Sequence, residues 1–307
     1  MSQAEQVQVP PADFQSYYGR PILKVSRWKE PHLPGYLFLG ELSGALATVG
    51  AVAHATGRRS LARTARLGAV AGAYAGGAAL AMELGRPERF LHMLRVAKPT
   101  SPMSMGSWIL SAHSALASAA AASEVTGRLT RLGAAAGFAS AVTGPLLAAY
   151  PAVLLADTAV PAWHAAHREL PVLFVGGAMT AAAAAGLAVS AISRDRSDFD
   201  AAYRLAVIGS AVEGLGGYVL EAMPGLTGEP YRSGKAGELL TAARYLTLSG
   251  GVAALAARRS RVAAAAAAAL LTGGGLCAKF AVLRAGKASA ADPKYVVASQ
   301  RGESRST

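Results

Sequence analysis

Apolar residues along this chain are gathered into blocks of roughly twenty, the length a helix needs to cross a hydrocarbon core of about 30 Å. The blocks predict transmembrane helices over 34–56, 67–84, 105–123, 132–155, 170–192, 202–223, 239–257 and 262–283. The fold class expected is therefore an all-α integral membrane bundle of eight helices, with both termini on one side because the number is even. This divides the chain into an extramembrane leader (1–33), a membrane domain (34–284) and an extramembrane tail (285–307). The fourth span carries Gly144–Pro145, where a bend is expected. Small residues such as Gly72, Gly76 and Gly77 in the second span, and Gly209, Gly216 and Gly217 in the sixth, allow helices to approach closely in lipid.

Between the second and third blocks lies the densest polar stretch, MELGRPERFLHMLRVAKPTSPMSMGSW at 82–108, with the connector itself at 85–103. It brings Glu83, Arg86, Glu88, Arg89, Arg95 and Lys98 together with three prolines, between two apolar spans. The remaining connectors are unequal. Those after the first, third, fifth and seventh spans are short and carry arginines: Arg58, Arg59, Arg63 and Arg66; Arg128 and Arg131; Arg194, Arg196 and Arg204; Arg258, Arg259 and Arg261. The positive-inside bias makes that side cytoplasmic, so the elaborate face and the termini are expected to be non-cytoplasmic.

Composition agrees with a membrane chain. Of 307 residues 52% are hydrophobic and 16% charged, with a mean hydropathy of +0.32, where a soluble domain carries about a quarter charged residues. The net charge of +12 sits mostly at block ends, as topology signals and lipid-headgroup contacts, which argues against a nucleic-acid stripe. Cys277 is the only cysteine, so the chain holds no iron–sulfur cluster, internal disulfide or c-type haem. Residues 1–21 lack the apolar core of a signal peptide, and the first block is expected to direct insertion.

Ionisable groups inside spans are costly, and so are candidates for function. Glu41 lies about two turns into the first span and Glu213 near the middle of the sixth, and for both a functional role is preferred. Glu221 shares a face with Glu213 through Gly217. For Glu83, Asp157 and Glu221 a structural reading leads: pairing of Glu83 with Arg86, or a place among headgroups. A b-type haem needs two ligands at matching depth. His54 ends the first span and His113 sits mid-way in the third, so no haem is expected. His164 and His167 are read as a wet interfacial pair, and no metal site is expected.

The polar connector resembles the signature of the polysulfide reductase NrfD (NrfD/PsrC-type) family of membrane subunits, on the residues LGRPERFLHMLRVAKPTSPMSMGSW at 84–108. The resemblance extends to SYYGRPILK at 16–24, YLFLGELSG at 36–44, AAYPAVLLADTAVPAWHAAHRELPVLFVGG at 148–177 and DPKYVVASQR at 292–301. Glu41 stands where the family commonly has glycine, Glu83 where it has aspartate and His92 where it has asparagine.

That resemblance implies a haem-free anchor that binds quinone and exchanges electrons with a ferredoxin-like iron–sulfur subunit. Through that subunit it implies a molybdenum or tungsten bis-pterin catalytic partner. Menaquinone is preferred to ubiquinone. With a quinone in view, His32, Tyr36 and Tyr150 are candidates to hydrogen-bond its carbonyls, with Glu41 beside them. Glu41, Glu213 and Glu221 are candidate proton relays, and Arg86, Arg89, Arg95 and Lys98 are candidate docking residues for the partner. The chain would not be catalytic alone. Alternatives are an inert structural anchor, kept alive by Glu41, and a secondary transporter, which should show inverted halves that the sequence does not display.

Overall fold

The computed structural model describes residues 22–24, 26, 28–84, 86, 89–193, 196 and 199–300, the side chains of Arg89 and 298–300 excepted. Among these, the regular structure is helical. Eight helices have 22 residues or more: α1 (His32–Ala55), α2 (Arg59–Glu83), α4 (Pro102–Thr126), α5 (Thr130–Ala156), α7 (Glu169–Ile192), α8 (Asp200–Glu221), α10 (Gly234–Ala257) and α11 (Arg261–Ala291). Short helices lie between and after them: α3 (Arg89–Met93), α6 (Pro161–Ala165), α9 (Gly225–Arg232) and α12 (Pro293–Gln300).

Each long helix coincides with one expected span. Several are longer than expected, α2 and α11 most of all. Helix α2 already begins at Arg59 and α11 continues to Ala291, because arginine- and lysine-bearing turns extend the helix beyond its apolar block. Five helices (α1, α5, α7, α10 and α11) are long and apolar enough to cross a membrane. Helices α2 and α8 carry arginine, serine and acidic residues, and α4 carries serines with His113 and Glu124. All the same, α8 presents Ile208 and Leu215 outward at 55% and 56% exposure. Outward-facing apolar side chains at mid-helix, Val142 and Val252 among them, suit a lipid solvent rather than water.

Packing divides the long helices into two groups of four. Helices α1, α2, α4 and α5 pack around one another, as do α7, α8, α10 and α11, and the groups meet where α1 touches α7 and α11 and where α5 and α2 touch α7. Without a strong apolar driving force between helices in lipid, close backbone contact has to hold such joints. At the α1–α5 crossing a Cβ on Gly44 would meet the carbonyl oxygen of Gly144 at 2.2 Å, so both positions require glycine.

Contacts between helix ends define two faces of the bundle. At one, the start of α1 meets the ends of α2, α5 and α11. Arg284 holds Glu30 through two contacts of 3.0 and 2.7 Å, and Trp163 of α6 is buried, donating to the carbonyl of Val282 at 2.7 Å and stacking on Trp28 at 5.3 Å. Tyr231 of α9 donates to the carbonyl of Ala162 at 3.1 Å, tying the two short helices together. At the opposite face arginines bind particular partners: Arg66 with Glu124 at 2.6 Å, Arg258 with Asp200 at 2.6 Å, and Arg261 with the carbonyl of Ser193 at 3.1 Å. Several arginines read from the sequence as topology signals thus also tie helix ends together, Arg66 and Arg258 through carboxylates and Arg261 through the carbonyl that closes α7, where a cation suits the partial negative charge of the helix end.

Candidate functional site

The densest polar grouping inside the bundle is one the sequence analysis only half identified. Glu41 of α1 and Lys279 of α11 face each other with Oε1 and Nζ 2.6 Å apart, and both side chains are fully buried. The contact lies off the hydrogen-bond direction, so it is an ion pair by charge rather than an aligned hydrogen bond. Lys279 also sits over the face of Phe174, 4.1 Å from the ring centroid, a favourable placement for a desolvated cation. Glu213 of α8 completes the group. Thr180 of α7 and Thr247 of α10 approach its Oε2 at 2.6 and 3.3 Å.

Three of these residues converge on Gly177 of α7. A Cβ there would meet Glu41 Oε2 at 2.8 Å, Lys279 Nζ at 2.9 Å and Glu213 Oε1 at 3.6 Å. The lysine is thus paired with Glu41 and has a second carboxylate, Glu213, close by, at the junction of the two four-helix groups. Lys279 was not among the sequence candidates, although a lone cation inside the apolar run LTGGGLCAKFAVL was the available signal.

A second grouping lies nearer the face that carries the 84–108 connector. The hydroxyls of Tyr36 and Tyr150 touch; Tyr36 is buried and Tyr150 half-buried. Tyr150 is seated against Gly106 of α4, where a Cβ would lie 2.2 Å from its ring. His32 faces Glu83 at 3.8 Å, and Glu83 Oε1 accepts the Lys29 backbone N–H at 2.7 Å. The partner of Glu83 is thus the start of α1, not Arg86.

The structure brings together three of the four residues expected around a quinone, His32, Tyr36 and Tyr150, at one end of the bundle. Glu41 stands apart. Five residues after Tyr36 on the same helix, it points about 140° away around the axis, and its partner is on α11. Of the expected relay residues, Glu41 and Glu213 share Lys279, while Glu221 is engaged by Arg244 at the end of α8. Arg86, Arg95 and Lys98 are exposed; the side chain of Arg89 lies outside the described residues.

His113 is buried with both ring nitrogens engaged, Nε2 by Ser43 and Nδ1 by Thr143, each at 3.0 Å. His164 and His167 direct their Nδ1 atoms at the carbonyls of Ala156 and His164. Three apolar grooves of about 280, 340 and 380 Å³ open elsewhere on the bundle, and none of them is lined by His32, Tyr36, Glu41 or Tyr150.

Compared with known families, the chain matches the one described as Polysulphide reductase, NrfD over residues 26–210, more than half of its length. The chain belongs to this family. Membership makes it a membrane subunit of the oxidoreductase-complex type, in a family associated with quinone and with iron–sulfur partner subunits. Among curated proteins none matches it. The NrfD match covers α1 through the first turns of α8, including the Tyr36–Tyr150 pair, and stops before Glu213 and Lys279.

Proposed function

We propose that this NrfD-family chain is a haem-free anchor that receives a quinone or quinol at the Tyr36–Tyr150 end. There it would exchange electrons with a ferredoxin-like iron–sulfur subunit docked on the same face. All eight long helices are taken to cross the membrane, with the connector face and both termini non-cytoplasmic. The observation that carries the reading is the pairing of Tyr36 with Tyr150 and of His32 with Glu83 at the end of the bundle from which the connector with the exposed cations Arg86, Arg95 and Lys98 leaves.

Quinone chemistry moves two electrons and two protons, so a site needs donors beside the carbonyls and a route for electrons. The two phenols can donate to a carbonyl once a headgroup separates them, and His32 with Glu83 can supply or take a proton at the bundle end. The bound quinone would supply the redox chemistry; menaquinone is preferred to ubiquinone. Electrons would come from, or go to, the partner's cluster and thence a molybdenum or tungsten bis-pterin subunit. Arg86, Arg89, Arg95 and Lys98 would hold that partner. Glu221, neutralised by Arg244, is better placed to brace the end of α8 than to relay protons.

The test is Tyr150→Phe in the assembled complex. Quinol-linked electron flow should fall at least about tenfold, as for a lost proton donor, while the iron–sulfur subunit still co-purifies. Unchanged flow would remove Tyr150 from the site and favour an inert anchor, in which the two phenols simply satisfy each other.

A further inference from the structure

We propose that Glu41, Lys279 and Glu213 form a single-proton site at the heart of the bundle: the ammonium neutralises one carboxylate and the other carries an exchangeable proton. Charge counting motivates it. Two carboxylates and one ammonium leave one negative charge, in a place where Glu41 and Lys279 are wholly buried and Glu213 is 3% exposed. An uncompensated charge in such surroundings is neutralised rather than tolerated. A proton is the smallest neutralising ion, and the space around Gly177 is already filled by the three side chains themselves.

Hydrogen-bond geometry accommodates such a proton. Thr180 Oγ1 lies 2.6 Å from Glu213 Oε2 and 3.0 Å from the carbonyl oxygen of Gly177, one turn back on its own helix. A hydroxyl has one hydrogen. That hydrogen serves Glu213 when the carboxyl is ionised; when the carboxyl is protonated it can donate to Thr180, whose own hydrogen then turns to the Gly177 carbonyl, so the same contacts serve both states. Thr247, on the opposite side, is a second hydroxyl within reach of the same oxygen. From the elements around the site, the charged groups that face it are Glu41 on α1, Glu213 on α8 and Lys279 on α11. Helix α7 contributes Thr180 and Phe174, and α10 contributes Thr247. His113 on α4 is turned to Ser43 and Thr143.

The arrangement has two ways to be neutral. With the ammonium against Glu41, as observed, Glu213 holds the proton; with the ammonium moved toward Glu213, Glu41 holds it. Lys279 and both carboxylates border Gly177, so the exchange combines a swing of the ammonium toward Glu213 with transfer of the proton from Glu213 to Glu41. Proton and ammonium move in opposite directions, and the site is neutral in both states. That the proton is exchanged with a quinol rests on the proposed quinone end; that it is present does not.

Infrared spectroscopy of the purified full chain, without added quinone, tests the site. At neutral pH the wild type should show the carbonyl stretch of one protonated carboxylic acid, shifting on exchange into heavy water. Glu213→Gln and Glu41→Gln should each abolish it, because each leaves one carboxylate for one ammonium. Lys279→Met should give about twice the intensity, because two acids then lack a counter-charge. Absence of the band in the wild type, loss of the band on adding sodium ions, or an unchanged intensity in Lys279→Met would each overturn the proposal. The wild-type measurement needs no variant to fold. A quinol-induced change in this band, measured afterwards, reports separately on the quinone reading: a band present but unresponsive keeps the proton site and removes its link to quinone.

Discussion

Because Lys279 has two carboxylates around Gly177 within reach, removing one should cost far less than half of what removing both costs. In Glu41→Gln or Glu213→Gln the ammonium keeps a partner within reach around Gly177. Each single change then replaces one neutral carboxylic acid by an amide, at about 1 kcal/mol for the altered hydrogen bonds. The double variant leaves a buried ammonium with only Phe174 and threonine hydroxyls around it. Breaking a buried pair so that one charge stands alone costs about 3–5 kcal/mol. The double variant should therefore lose about 1–3 kcal/mol more than the sum of the singles, a coupling within the range seen for residues in one network. Equilibrium unfolding in mixed detergent micelles, run on wild type, both singles and the double, measures that difference directly. Adding Lys279→Met to the double should recover most of the loss, since the stranded charge goes with it. A double variant that equals the sum of its singles within about 0.5 kcal/mol would refute the idea that the three residues act as one charge unit.

The remaining predictions concern the connector face. Gly106→Ala places a methyl group against the ring of Tyr150, so it should impair quinol-linked electron flow as Tyr150→Phe does, though both hydroxyls remain; normal flow would show that the position of that ring is immaterial. At Glu30, the hydrogen bond from Arg284 holds the carboxyl below its ordinary value of 4.5. The folded state therefore favours the ionised form. The stability this adds is complete above the unfolded value and disappears as pH falls through the lower folded value. Both groups are partly exposed, so its size is under about 1 kcal/mol. Unfolding followed from neutral pH downward should show a shallower acid decline in Arg284→Gln than in wild type, and identical slopes would exclude the pair as a contributor.

How far the chain could be read in advance differs from element to element. The long helices were legible because a span announces itself through length and apolarity, which are local properties. Their ends were less so. Arg59, Arg63 and Arg66 looked like connector, yet they lie within α2, since a helix entering the headgroup layer can go on in polar residues. The short helices α6 and α9 were missed altogether, because PAWHA and GLTGEPYR carry no periodic signal and are held by Trp163, Tyr231 and Arg232 contacts made across the fold.

The chemistry divides in the same way. Glu41 and Glu213 stood out in the sequence because an ionisable residue in an apolar run is costly wherever it ends up. Tyr36 and Tyr150 stood out through resemblance to a family, and the match over 26–210 supports that resemblance. By itself, then, the sequence determined that this is a helical membrane subunit of the NrfD family with acidic residues inside it. Only the tertiary structure decided that Glu41 turns away from Tyr36, that Lys279 meets it, and that Glu213 closes the group. Which side chains meet across a bundle depends on how helices distant in the chain rotate and cross. Those angles are set by contacts such as Gly44 against Gly144, where the absence of a side chain lets two backbones touch.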